Sequence, residues 1–114
     1  MIERIQPGPR MSQVVVGTPS VFLAGQVADD PNASLEEQTR QVLAKIDALL
    51  AEAGSDKSKL LSANLWITDM ANFSAMNEVW NAWVDADNPP VRACVRADLA
   101  LPEILVEIMV TAYK

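Results

Sequence analysis

Apolar and polar positions divide the chain into short alternating runs and two longer segments with helical spacing. Ser12–Val16 and Val21–Gln26 read as strands joined by a Gly-Thr-Pro-Ser turn. From Ser34 the pattern changes period. Val42, Leu43, Ile46, Leu49, Leu50 and Ala53 recur at three and four residues and predict one buried helix face. Ser34 and Glu37 supply an S-x-x-E capping box at its start, and Gly54 a left-handed stop at its end. A short turn over 57–60 leads into a strand over Leu60–Asp69. A second helix starts near Ala71 or Asn72, carries Phe73, Met76, Trp80 and Trp83 on one stripe, and ends at "DADNPP". Val91–Asp98 and Leu105–Tyr113 are the last strands. The order β-β-α-β-α-β-β predicts an α+β fold, a mixed sheet with both helices packed on one face, in a single domain over residues 1–114.

The last strand complicates that picture. Val106, Ile108, Val110 and Ala112 form one face, yet Leu105, Met109 and Tyr113 populate the other. A sheet left wet on its second face should alternate apolar with polar. The chain is too short to cover that face itself, so another copy is the expected cover.

Charge and composition narrow the chemistry. Nine basic against fifteen acidic side chains give −6, and no basic run exists to hold a phosphate backbone, so nucleic acid is not an expected partner. One cysteine permits no internal disulfide and suits a reducing compartment. The N-terminus lacks the apolar stretch of a signal peptide, and no run is long enough to cross a bilayer; a cytoplasmic location is expected, with no membrane partner. There is no histidine. That excludes Ser-His-Asp and Cys-His catalysis and leaves too few donors for a zinc site. No phosphate loop is present, so no nucleotide cofactor is implied. Carboxylates, arginine, backbone amides and water remain.

Two charges stand out. In "PPVRACVRADL", residues 89–99, Val91, Ala93, Val95 and Ala97 are expected to face a core, with Arg92, Cys94 and Arg96 opposite. Arg92 then has two readings: a cross-strand ion pair with Glu107 or another carboxylate, or a receptor that grips a ligand carboxylate with its planar fork. Glu107, between Val106 and Ile108, should be partly desolvated, which suits general acid–base work. Cys94 reads first as a small buried side chain, since no histidine activates it. Trp80 and Trp83 read as core or as the wall of a cleft. Gly25 in "LAGQ" marks a bulge or a close backbone approach.

Together these residues resemble the RidA (YjgF-type) family. "PPVRACVRADLALPEILVEI" is similar to its C-terminal signature, "VFLAGQV" to its strand ending in Gly-Gln, and "ITDMANFSAMNEVWNAW" to its run into the second helix. The resemblance implies a chorismate-mutase-like fold assembled as a homotrimer with ligand clefts between subunits, and no cofactor or metal. It also implies hydrolysis of reactive imines and enamines, such as 2-aminoacrylate, to 2-keto acids and ammonia. By that likeness Arg92 holds the substrate carboxylate and Glu107 activates water. Cys94 contributes through its backbone as much as its sulfur, while Gly25 and Asn77 line the cleft. Arg10 with Met11, and Ala24, stand where many active members carry a tyrosine and a serine that contact substrate from a neighbouring subunit. Two other functions stay open: a non-catalytic binder of small carboxylates, and RNA cleavage.

Overall fold

The longest helix, α1 (Leu35–Glu52), begins and ends where its sequence directs. Ser34 Oγ accepts the Glu37 N–H at 3.2 Å. The other half of the expected box is not made, because the Glu37 carboxylate turns to Arg40, at 3.1 Å, and Gln41. At the far end Gly54 takes φ +78°, and the N–H groups of Gly54 and Ser55 return to the carbonyls of Ala51 and Leu50. Those bonds help satisfy the carbonyls of the last turn.

The computed structural model describes residues 1–114. Besides two single-turn 3-10 helices, Lys57–Lys59 and Met70–Asn72, its remaining elements are β1 (Ile2–Pro7), β2 (Ser12–Gly17), β3 (Ser20–Leu23), β4 (Leu60–Ile67), α2 (Phe73–Trp83), β5 (Val91–Arg96) and β6 (Val106–Tyr113). The strands make one sheet in the order β1-β2-β3-β6-β4-β5, antiparallel except for the β4–β5 pair. The order read from the sequence is present, preceded by one further strand, β1. That strand is an edge, and only Ile5 packs partly on the core, so its sequence carries no buried period. Extents of 42 × 37 × 19 Å describe a thin slab, the depth of one sheet plus one helix layer.

Both helices lie on one face. The core between the layers holds Val14, Val16, Val21 and Leu23 from the hairpin, Leu43, Ile46 and Leu50 from α1, Ala63, Leu65 and Ile67 from β4, and Val106, Ile108, Val110 and Ala112 from β6. Neither β1 nor β5 contributes a fully buried residue. Gln38, 1% exposed on α1, ties the connection before β6 to the helix: its amide donates to the carbonyls of Ala33 and Glu103 and accepts the Leu105 N–H. The other face of the sheet is open and apolar. Phe22, Val91, Val95, Met109 and Tyr113 are 40–73% exposed there. No helix is long and apolar enough to cross a membrane.

Candidate functional site

The parity of β5 is the reverse of the expectation. Its parallel register pairs Arg92 with Ala63 and Cys94 with Leu65, both buried on the helix side, so Arg92 and Cys94 face the helices. Val91, Ala93 and Val95 lie on the open face instead. The apolar residues of this edge strand therefore belong to the uncovered side, and the arginine to the side closed by α2.

There the Arg92 guanidinium carbon is 5.4 Å from the Trp80 ring centre and 6.0 Å from that of Phe73. Both distances are within reach of a cation–π attraction. Phe73, Asn77 and Trp80 are four and three residues apart and share one face of α2. Asn77 Oδ1 is buried with no hydrogen-bond partner. Cys94 is half-buried next to Arg92. Burial pushes its thiol above the ordinary value of 9.0, and the Arg92 charge opposes that rise only in part. Cys94 is thus a protonated thiol at neutral pH and a poor nucleophile.

Glu107 lies elsewhere. It registers with Trp66 on β4, and Trp66 with Val95, so its side chain belongs to the open face. Strand β3 stops at Leu23, short of the expected Gln26, and pairing resumes as a single bridge between Gln26 and Ile108. In the gap, Gly25 meets the Glu107 side chain. A Cβ at Gly25 would lie 3.1 Å from Glu107 Cδ and 3.4 Å from Cγ, and would strike the carboxylate itself. The glycine is there for a close approach, which is why the strand is irregular at that point. Gln26, 4% exposed, props this loop by donating to Gln13 Oε1 at 2.8 Å and to the Ala24 carbonyl at 3.0 Å. The Ala24 N–H bonds the Gln13 carbonyl, which sets Ala24 level with the start of β2. Arg10, exposed in the turn between β1 and β2, is at the same end of the sheet and makes no ion pair.

The candidate residues therefore form two groups. Arg92, Cys94 and Asn77 gather under α2; Gly25, Ala24 and Glu107 gather on the opposite face, with Arg10 at that end. Arg92 registers through Ala63 with Val110, three residues from Glu107 and two strands away. That is roughly 10 Å across the sheet and about 10 Å along it. The ion pairs of the molecule are Arg40–Glu37 and Lys45–Asp29, so the Arg92–Glu107 pair is not made. A groove of about 540 Å³ between the helices, lined by Leu43, Asp47, Lys57, Val79 and Trp83 among others, contains none of the candidate residues. Within one chain neither group is closed into a pocket.

A family model described as endoribonuclease L-PSP matches residues 1–114. The chain belongs to that family. Relatives named RutC family proteins include one from Haemophilus influenzae, 43% identical and covering 97% of each chain. YoaB of Escherichia coli is 41% identical over 97% of this chain and 96% of its own. Among solved structures, a YjgF-family protein from Neisseria meningitidis is 46% identical, covers 100% of this chain and 95% of its own, and superposes with a TM-score of 0.97. Sequence reasoning about this YjgF-family chain missed the aromatic surroundings of Arg92. The signal was present in the spacing of Phe73, Asn77 and Trp80, but spacing alone does not say which strand a helix face covers.

Proposed function

We propose that the protein hydrolyses reactive 2-imino acids and their enamine tautomers to 2-keto acids and ammonia, with Arg92 holding the substrate carboxylate and Glu107 serving the water. One observation carries the reading. Arg92 is half-buried yet has no carboxylate or carbonyl partner, so its N–H donors are free for a ligand. A guanidinium with its in-plane donors unused is suited to a bidentate grip on a carboxylate.

The chemistry needs no more than these groups. The enamine takes a proton from solvent at its terminal carbon and gives one up from nitrogen, becoming the imine. Water adds to the imine carbon, passing a proton to the Glu107 carboxylate, and the imine nitrogen is protonated. The resulting carbinolamine expels ammonia as its hydroxyl proton leaves, giving the keto acid. Arg92 and Glu107 must then come from different chains. The open apolar face supports a homotrimer in which one copy's Arg92 group faces another's Glu107 group across a cleft.

The test generates 2-aminoacrylate with a serine or threonine dehydratase and follows pyruvate release. Wild-type protein should accelerate release and Arg92→Ala should not; an equal rate in the variant overturns the role of Arg92. A second reading, a non-catalytic carboxylate binder, is favoured by Ala24 and Arg10, which bring no hydroxyl to the Glu107 end of the sheet. Calorimetric binding of a keto acid without any effect on imine decay selects it. For RNA cleavage, the activity in the family's description, a net charge of −6 is adverse, and strong, salt-sensitive RNA binding would be needed to support it.

A further inference from the structure

We infer that Trp80 and Phe73 are positioning residues that hold Arg92 as a ready-made carboxylate receptor; the inference rests on the reading of Arg92 as the anchor. An arginine on an edge strand has several flexible torsions, and fixing them when ligand arrives costs binding free energy. Here two ring faces lie beside the guanidinium before any ligand is present, at 5.4 and 6.0 Å. The choice of partner matters. A carboxylate in their place would steady the cation equally well, but it would occupy the same N–H donors and have to be displaced. An aromatic face attracts the cation through its quadrupole and leaves the in-plane donors free.

The rings are themselves held. Trp80 is 5% exposed. Trp83 packs against it with ring centres 5.4 Å apart, and the Trp83 indole N–H donates to Asp47 Oδ2 on α1 at 2.9 Å. Lys57 Nζ closes the far side, 5.3 Å from the Trp83 ring centre. The receptor is thus referenced to both helices through Asp47, Trp83 and Trp80.

The experiment measures 2-oxobutanoate binding by calorimetry, alongside KM and kcat for imine hydrolysis, in Trp80→Leu, Trp80→Phe, Phe73→Leu and Arg92→Ala. A cation–π partner of this exposure corresponds to about 3- to 30-fold in affinity. Trp80→Leu and Phe73→Leu should therefore weaken binding and raise KM by that factor. Their kcat should stay near wild type, because the carboxylate is held equally in the ground and transition states. Trp80→Phe keeps a ring and should stay within about threefold of wild type. A purely structural role would instead lower the active fraction and kcat and leave KM unchanged, and that result overturns the inference. So does wild-type affinity in both leucine variants when Arg92→Ala has lost binding, or a Trp80→Phe variant no better than Trp80→Leu. If Trp80→Leu does not fold, the half-buried Phe73→Leu decides. If wild type and Arg92→Ala bind the keto acid equally, the anchor reading itself fails and this inference falls with it. The binding measurement stands whether or not the protein turns over substrate.

Discussion

Replacing Gly25 with alanine separates stability from activity at a single atom. The added Cβ would fall against the Glu107 carboxylate, with Cδ at 3.1 Å and Cγ at 3.4 Å. The obstruction is the far end of a flexible side chain, not backbone, so Glu107 can swing away toward the open face. Gly25 has no positive φ that a Cβ would strain, and losing a glycine stiffens the unfolded chain by about 0.4–1 kcal/mol in favour of folding. Displacing the carboxylate offsets a similar amount, so the net change in stability should be within about 1 kcal/mol. Activity should respond differently. A reacting group moved by about 1 Å can lose on the order of 100-fold in rate, or about 2.7 kcal/mol of barrier.

The expected result is a Gly25→Ala protein with a near wild-type denaturant midpoint and kcat/KM for imine hydrolysis down by about two orders of magnitude. Keto-acid affinity should fall far less than kcat/KM, because the added Cβ meets Glu107 and leaves the Arg92 fork and its aromatic support untouched. Full activity in Gly25→Ala would refute the role given to Glu107. A large loss of stability would show that the glycine serves the backbone rather than the carboxylate.

Gln38→Leu should destabilise the fold by about 2–4 kcal/mol in urea unfolding at fixed protein concentration, because it strands the carbonyls of Ala33 and Glu103 and the N–H of Leu105. Cys94 should react with iodoacetamide more slowly than a free thiol at pH 8, with a rate midpoint above 9.0, and more slowly still in Arg92→Ala, where the opposing charge is gone. The sign for stability follows from the same shift. The unfolded thiol loses its proton first, so the Cys94 contribution is intact below about pH 9 and is lost as pH rises through the folded value. Val95→Glu places a charge beside Trp66 on the open face, where Val95 is 50% exposed within one chain. It should leave the monomer folded by circular dichroism, shift sedimentation toward monomer and abolish imine hydrolysis together; trimer retained with activity lost would break the link between assembly and function.

The elements with two readable ends were the legible ones. Helix α1 carries its cap at Ser34, its stop at Gly54 and a continuous apolar face between them, so local and tertiary signals agree. Strand β1 has none of these, since an edge strand with little buried surface needs no period. Strand β5 shows a subtler failure. Alternation in "VRACVR" establishes two faces but not which is inside, and the valines suggested the wrong one. The inner side of β5 is closed by Phe73 and Trp80, whose rings lie beside the cation of Arg92, so that side has no need of valine. The outward valines continue the exposed apolar surface of Phe22, Met109 and Tyr113.

That reversal bears on how the site must be built. Had Arg92 shared the open face with Glu107, the nearest remedy for two opposite charges in apolar strands would have been each other, and the pair would have been structural. By facing opposite sides of one sheet they cannot neutralise one another within a chain, and each keeps its own close support: aromatic rings for the arginine, a bare glycine for the glutamate. Bringing them together requires a second copy laid on the exposed face, where the apolar area that drives association is found. On this reading the sheet's two-sided hydrophobicity and its two isolated charges have one cause. If Arg92 and Glu107 act as proposed, assembly would complete the reactive site, because within one subunit the two residues lie on opposite faces of the sheet.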